Sequence, residues 1–307
     1  MRVEAIGINY AEILSRKGLY GWAPKRPYVL GMEAVGTLEA VGAGVADRSL
    51  GQRVICGMQH GAYVERVVVP AAQALPALDG LSLVENAAFG VNFMTAWVAL
   101  VEMARLRSTD RVAVTAAAGG VGTAAVQIAA AYGCEVVAMA GSETKLARVR
   151  PLGATHTVCY RSADFARQLD AAAADHGLDV VLETVGGEVY RACLLRLAGF
   201  GRLVVVGYAG LDYSVWNPFS WWRAWRGAPR MNVMKAAMGS TGVMATHIGY
   251  LLPDEERLLR IWRELTAFTR EHDLRPVIGR TFAFEEIPEA HRFMESRESV
   301  GKLVALA

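Results

Sequence analysis

The residues of this chain best suited to chemistry lie in the run Val112-Ala-Val-Thr-Ala-Ala-Ala-Gly-Gly-Val-Gly-Thr-Ala-Ala-Val-Gln-Ile-Ala129, where an apolar segment passes through glycines into a helix-forming segment. A strand that turns sharply into a helix presents unpaired N–H groups and the positive end of the helix dipole, which together attract phosphate. Gly119 and Gly120 permit the tight turn and a close approach of a diphosphate to the backbone, and Gly122 lets the helix pack on the strand. Gly119, Gly120, Val121 and Gly122 are therefore the expected diphosphate-binding residues. A Gly/Ala-rich packing turn without a ligand is the competing possibility, and the full strand, turn and helix context weighs against it.

The end of the next strand bears on which dinucleotide is bound. An NAD-binding chain places a carboxylate there, about twenty residues on, for the ribose 2′-hydroxyl. Here stand Ala140, Gly141 and Ser142, with Lys145 and Arg148 on the following helix and Tyr160 and Arg161 closing the third strand. A 2′-phosphate would meet hydroxyls and cations, so NADPH is expected over NADH. Solvated surface charges at a helix start remain the alternative, and Glu143 lies nearby.

The elements that position these residues follow from periodicity. From Arg111 to Tyr208, apolar runs at Val112–Thr115, Glu135–Ala140, His156–Tyr160, Asp179–Glu183 and Arg202–Gly207 alternate with amphipathic helix-length segments. Strict alternation of this kind predicts a parallel, doubly wound α/β sheet, the Rossmann arrangement. The first ninety or so residues read as an irregular β domain with short strands such as Arg53–Cys56 and Tyr63–Val69. Ser82-Leu-Val-Glu85 has the form of a capping box that starts a short helix, and a second helix is predicted from Phe93 to Arg107. Pro151 should end the helix after Lys145 near Arg150. Helical signals from Asp254 to Glu271, a strand at Arg280–Phe284, a helix at Pro288–Ser296 and a strand at Gly301–Leu306 return the chain to the first domain. The expected division is 93–245 for the dinucleotide domain and 1–92 with 246–307 for the substrate domain, which places Asn92 and Thr95 at the boundary.

Composition excludes several classes. Of 307 residues, 32 are basic and 30 acidic, and a net charge of +2 is far from the positive field that nucleic-acid binding needs. The four cysteines, Cys56, Cys134, Cys159 and Cys193, form no CxxC pair and point to a reduced, cytoplasmic chain. No signal-peptide pattern or long uninterrupted apolar segment is evident. Trp216, Phe219, Trp221, Trp222 and Trp225 crowd into 215–226, where they could touch a membrane surface, roof a pocket or seal a subunit interface.

The chain resembles the medium-chain dehydrogenase/reductases of the zinc-independent quinone oxidoreductase type. The resemblance rests on Gly7-Ile-Asn-Tyr-Ala-Glu-Ile-Leu-Ser-Arg-Lys-Gly-Leu-Tyr20, Gly31-Met-Glu-Ala-Val-Gly36, Ala117–Gly122, Gly141-Ser-Glu-Thr-Lys-Leu146, Glu183-Thr-Val-Gly-Gly187 and Gly301-Lys-Leu-Val304. Val91-Asn-Phe-Met-Thr-Ala-Trp97 and the Trp-rich stretch are most similar to the vesicle amine transport protein branch. The resemblance implies a Rossmann domain inserted in a GroES-like, mostly β catalytic domain whose leading strands look to be missing here, and a homodimer. It also implies that the metal-ligand positions of zinc-holding relatives fall at Asn9, Met32 and Val91, none of which supplies a thiolate or imidazole.

Without a Lewis acid, reducing a quinone or an α,β-unsaturated carbonyl is the more accessible hydride chemistry. The resemblance points to Tyr20 as hydrogen-bond donor to the developing oxyanion, a packed aromatic role being equally open. Asn9 and Tyr10 would line the pocket, Thr95 would lie near the nicotinamide, and Gly207 and Tyr208 would close the cofactor site at a strand end. A membrane-associated nucleotide-binding or lipid-handling protein with little catalysis is the rival expectation.

Overall fold

Strand β1 (Arg2–Ile8) buries Val3, Ala5, Ile6 and Ile8 while Arg2 faces solvent, so its apolar residues can seed a core. It runs into helix α1 (Tyr10–Lys17), whose start is capped by Asn9 N donating to Glu12 Oε2 at 2.8 Å and which Gly18, at φ 75°, ends in the left-handed conformation. The computed structural model describes residues 1–207, 226 and 230–307, and the chain divides into two units: Met1–Met94 with Ile248–Ala307, and Thr95–His247.

In the first unit β1 pairs antiparallel with β2 (Glu33–Thr37), which continues to β3 (Arg53–Gly57) and β4 (Ala74–Pro76). On its other side β1 pairs antiparallel with the C-terminal strand β12 (Lys302–Leu306), itself parallel to β11 (Ile278–Ala283). The six strands lie in the order β11-β12-β1-β2-β3-β4. Ile6, Ile8, Phe282, Ala290 and Leu303 form the core beneath them. The expected strand at Tyr63–Val69 is not formed; this stretch meets only the first residues of β1, through an isolated antiparallel bridge of Arg66 to Arg2 flanked by Val3 N donating to Glu65 O at 2.8 Å and Val67 N to Met1 O at 3.0 Å.

The two helices expected around residues 82–107 are one. Helix α2 (Leu83–Trp97) begins at the anticipated capping box, with Ser82 N donating to Glu85 Oε2 at 2.8 Å and Glu85 N to Ser82 Oγ at 3.3 Å. It continues directly as a π-helix over Val98–Met103, so the two expected helical segments join without a break. Leu83–Met103 is long and apolar enough to cross a membrane by composition, yet 78% of that window is buried within the protein, as in a core helix.

The second unit contains β5 (Arg111–Val114), α3 (Gly120–Ala131), β6 (Glu135–Ala140), α4 (Glu143–Val149), β7 (His156–Cys159), α5 (Phe165–Ala173), β8 (Leu178–Glu183), α6 (Gly187–Leu194), β9 (Leu197–Val205) and β10 (Gly242–Ala245). All six strands are parallel, in the order β10-β9-β8-β5-β6-β7. Pro151 ends α4 at Val149 and leaves a single 3₁₀ turn, Arg150–Leu152. The strand order reverses at β5, whose neighbours are β6 and β8, and ligands bind doubly wound sheets at the carboxyl ends flanking such a switch.

Candidate functional site

The glycine turn lies at that switch. Val112, Ala113 and Val114 are wholly buried, so β5 delivers the chain to the sheet's carboxyl edge with little freedom. The reversal is made by Ala116, at φ 44°, and the turn is fixed by Gly119 N donating to Ala116 O and Ala117 N to Met139 O on β6, both at 2.8 Å. Gly119 caps α3 with extended backbone, φ −78° and ψ 174°, leaving the first N–H groups of the helix directed toward the strand ends. A Cβ on Gly122 would lie 2.3 Å from Ala116 O and 2.7 Å from Ala117 Cα, so only glycine allows helix and turn to approach this closely. The sequence pointed to these glycines but not to the left-handed alanine.

Next to it, β6 ends at Ala140 and Gly141, and Ser142 caps α4 by accepting from Lys145 N at 3.4 Å. Tyr160 and Arg161 fold over Gly141: a Cβ there would be 3.3 Å from Arg161 Nε and from Tyr160 Cε2 and 3.4 Å from Tyr160 Oη. Gly141, Ser142, Lys145, Tyr160 and Arg161 thus gather at one strand end, and Glu143 is exposed. On the other side of β5, Glu183 is fully buried at the end of β8, and burial raises its carboxyl above the ordinary range. It accepts from Val185 N and Gly186 N, both at 2.9 Å, shaping the loop before α6, which Thr184 N ties to Thr115 Oγ1 at 2.9 Å. Gly207 follows β9; Tyr208 and Trp216 through Trp225 lie outside the described residues. Thr95 is buried in α2 as the first residue of the second unit.

In the first unit the sequence-derived candidates have different surroundings. Tyr20 is half-buried beside Trp22, ring centroids 5.6 Å apart. Burial, and secondarily the Glu12 charge, push its phenol up to about 12, so the hydroxyl keeps its proton at neutral pH and can donate it in a hydrogen bond. Tyr10 is half-buried on the first turn of α1. Asn9 is buried, and its amide is directed inward: Nδ2 donates to Gly7 O at 3.1 Å and Glu33 Oε1 at 3.1 Å, while Oδ1 accepts from Lys302 Nζ at 2.6 Å.

Around Asn9 lies a buried polar cluster that sequence reasoning missed. Lys302 pairs with Glu33, with side chains 3% and 1% exposed, and also reaches Asn92 Oδ1 at 3.5 Å. Glu12, wholly buried, accepts from Asn9 N and Met32 N at 2.8 Å each and from Tyr63 Oη at 2.5 Å, and Tyr63 Oη lies 2.9 Å from His291 Nε2. Desolvation raises the Glu12 carboxyl despite these bonds and lowers His291 to about 4. The only available signal was charge in otherwise apolar strands, Glu33 in Gly-Met-Glu-Ala-Val-Gly and Lys302 in Gly-Lys-Leu-Val. At the three positions where the resemblance places metal ligands, Val91 has no donor atom, Met32 offers only a thioether, and the Asn9 oxygen is held by an ammonium. This donor set does not fit a tetrahedral zinc ion. Close by, an apolar cavity of about 50 Å³ is bounded by Ile55, Val91, Met94, Leu258 and Trp262, with Glu33 at its edge.

Comparison with known proteins places this geometry. Residues 1–79 match the alcohol dehydrogenase GroES-like domain and residues 152–304 the zinc-binding dehydrogenase family. A synaptic vesicle membrane protein VAT-1 homolog from Rattus norvegicus is 31% identical over 305 residues, 99% of this chain and 75% of that protein. A quinone oxidoreductase from the same organism is 29% identical over 308 residues, covering all of this chain and 88% of that protein. Among solved structures, the quinone oxidoreductase from Thermus thermophilus, determined also in complex with NADPH, superposes with a TM-score of 0.82 at 35% identity, over 100% of this chain and 90% of that one.

Proposed function

Since the chain belongs to the medium-chain dehydrogenase/reductase superfamily, among VAT-1 homologs and quinone oxidoreductase-like proteins, we propose that this oxidoreductase uses NADPH to reduce quinones or α,β-unsaturated carbonyls without zinc. The carrying observation is the rigid turn from Ala116 to Gly122 at the carboxyl end of β5, with Tyr160 and Arg161 gathered over Gly141 beside it. Gly119, Gly120, Val121 and Gly122 bind the diphosphate, and Ser142, Lys145, Tyr160 and Arg161 receive the 2′-phosphate through charge-assisted hydrogen bonds. Gly207 and Tyr208 complete the cofactor site, and Thr95 flanks the nicotinamide. Bound NADPH supplies the hydride.

Tyr20 donates the hydrogen bond that stabilises negative charge developing on the substrate oxygen, a role suited to a phenol that stays protonated at neutral pH. Asn9, its amide committed inward, and Tyr10 shape the wall of the pocket. The cavity beside Val91 is well below the ~150 Å³ that holds a benzene ring, so it suits an alkyl substituent rather than the reacting ring. The zinc-free reading is supported by the donors at positions 9, 32 and 91 and by the relatives named quinone oxidoreductase. Cytoplasmic location and a homodimer accompany it; among the described residues β10 has one strand neighbour, β9, and an edge of that kind can pair with a second copy.

The test is NADPH oxidation with a panel of quinones and enones. A rate above the cofactor-only control, with NADPH preferred to NADH, is expected, and its absence for every acceptor overturns the proposal. A second reading, peripheral membrane association with little catalysis, has its support in the synaptic vesicle relative. Co-sedimentation with liposomes that is lost in a Trp221→Ser/Trp222→Ser variant would favour it.

A further inference from the structure

We propose that Lys302 is a positioning residue whose buried ammonium braces the end of β1, the start of β2 and the middle of α2 against one another, and so fixes the wall of the substrate domain. The inference rests on the zinc-free reading above, since a metal bound to these three segments would brace them instead.

The ammonium has three protons and three partners, each on a different segment: Asn9 Oδ1 at 2.6 Å, Glu33 Oε1, and Asn92 Oδ1 at 3.5 Å. All four residues are less than 9% exposed. The bracing extends to the backbone. Asn9 N and Met32 N both donate to Glu12, and Val91 N donates to Glu33, each at 2.8 Å. The main-chain N–H at each metal-equivalent position is therefore held by a buried carboxylate, and the Asn9 side chain bridges the two carboxylates, with Nδ2 3.3 Å from Glu12 Oε1 and 3.1 Å from Glu33 Oε1.

Two glycines border this arrangement. A Cβ on Gly7 would lie 2.3 Å from Ala87 O and 2.6 Å from Glu33 Oε1, and one on Gly90 would lie 3.0 Å from both Glu33 Oε2 and Ile55 Cγ2, so β1, α2 and the carboxylate approach one another too closely for side chains at these two positions. A buried ion pair is a poor device for stability alone, because apolar side chains of similar volume serve as well; its best-attested use is to fix one arrangement of the elements it joins.

Residue-resolved hydrogen exchange tests the brace without any substrate. None of the amides of Asn9, Met32 and Val91 is bonded to Lys302, so their exchange reports geometry transmitted through the cluster. In Lys302→Met we expect all three to exchange at least tenfold faster while the β6 amides stay as in wild type, and Lys302→Arg to restore protection. If the unpaired Glu33 charge prevents Lys302→Met from folding, Lys302→Met/Glu33→Leu removes both charges, and the Asn9 and Met32 amides, which bond to Glu12, remain the reporters.

Exchange within threefold of wild type at these amides, or an equal rise across every strand of the first unit, overturns the proposal. In turnover, Lys302→Met should lower kcat at least tenfold with KM for NADPH within twofold, and Lys302→Arg should recover most of it; an unchanged kcat refutes a positioning role. A wild type inactive toward every acceptor would sink the proposed function, while the exchange data would still decide whether the brace exists.

Discussion

Replacing Gly122 by alanine tests the phosphate turn most sharply. The added methyl would lie 2.3 Å from Ala116 O, 2.7 Å from Ala117 Cα and 2.8 Å from Ala117 C, all backbone atoms without a rotamer to escape into. Relief requires helix and turn to separate by about 1 Å in a tightly packed interior, at a cost of about 1–3 kcal/mol. For a unit of this size that is a fall in Tm of about 2–12 °C. The same movement strains the bonds Gly119 N to Ala116 O and Ala117 N to Met139 O, which orient the N–H groups facing the diphosphate. NADPH affinity should therefore fall by about 10–100-fold, since each tenfold corresponds to about 1.4 kcal/mol. Gly119→Ala is the control: its methyl would meet only Ala116 O, at 3.3 Å, and its φ of −78° is ordinary, so the fold tolerates it. It should leave Tm within about 2 °C of wild type and still weaken NADPH, because its methyl intrudes where the diphosphate approaches the backbone. Calorimetric titration with NADPH and thermal melts of both variants are sufficient. A Gly122→Ala protein with wild-type Tm and affinity, or a Gly119→Ala protein that binds NADPH normally, would refute this account of the turn.

Other outcomes follow from the same geometry. Arg161→Gln should weaken NADPH by about 10-fold, the value of one charge-assisted hydrogen bond, while NADH binding changes little, read by titration with both nucleotides. Tyr20→Phe should lower kcat by about 10²-fold with NADPH affinity unchanged, and stopped-flow single turnovers that match wild type would remove Tyr20 from the reaction. His291 is held near 4, below its ordinary 6.5, so its neutral form stabilises the fold above about pH 6.5 and that contribution is lost as pH falls toward 4, by roughly 3 kcal/mol at most. The raised Glu12 acts in the opposite sense, its contribution fading as pH rises above 4.5. His291→Gln should therefore flatten the acid side of the Tm-versus-pH curve, and a profile identical to wild type would contradict the assignment.

The parts of the molecule legible in the sequence are those governed by local rules. The β5, turn and α3 sequence is a buried β run, glycines and an alanine-rich helix in succession, and the remaining parallel strands announce themselves by alternation. Pro151 ends α4 where its missing N–H and ring require. Local preference failed where partners decide: Tyr63–Val69 has strand-favouring residues yet meets β1 only at a single bridge, and α2 runs on through the π-helical turns where the sequence reads as two separate helices. Gly90 inside α2 is crowded by Glu33 and Ile55, both on strands far earlier in the chain, and the Lys302 contacts to residues 9 and 92 span separations of 293 and 210. No periodicity encodes such contacts, and the left-handed Ala116 is equally invisible among its alanine neighbours.

The central claim, metal-free hydride transfer from NADPH, is tested most directly by following deuterium. Protein purified through a strong chelator should oxidise stereospecifically 4-deuterated NADPH in the presence of an active quinone or enone, carry the label into an enone product at carbon, and show a primary isotope effect on single turnover. Loss of turnover after chelation with recovery on adding zinc, or oxidation without label transfer to the enone, would contradict the account.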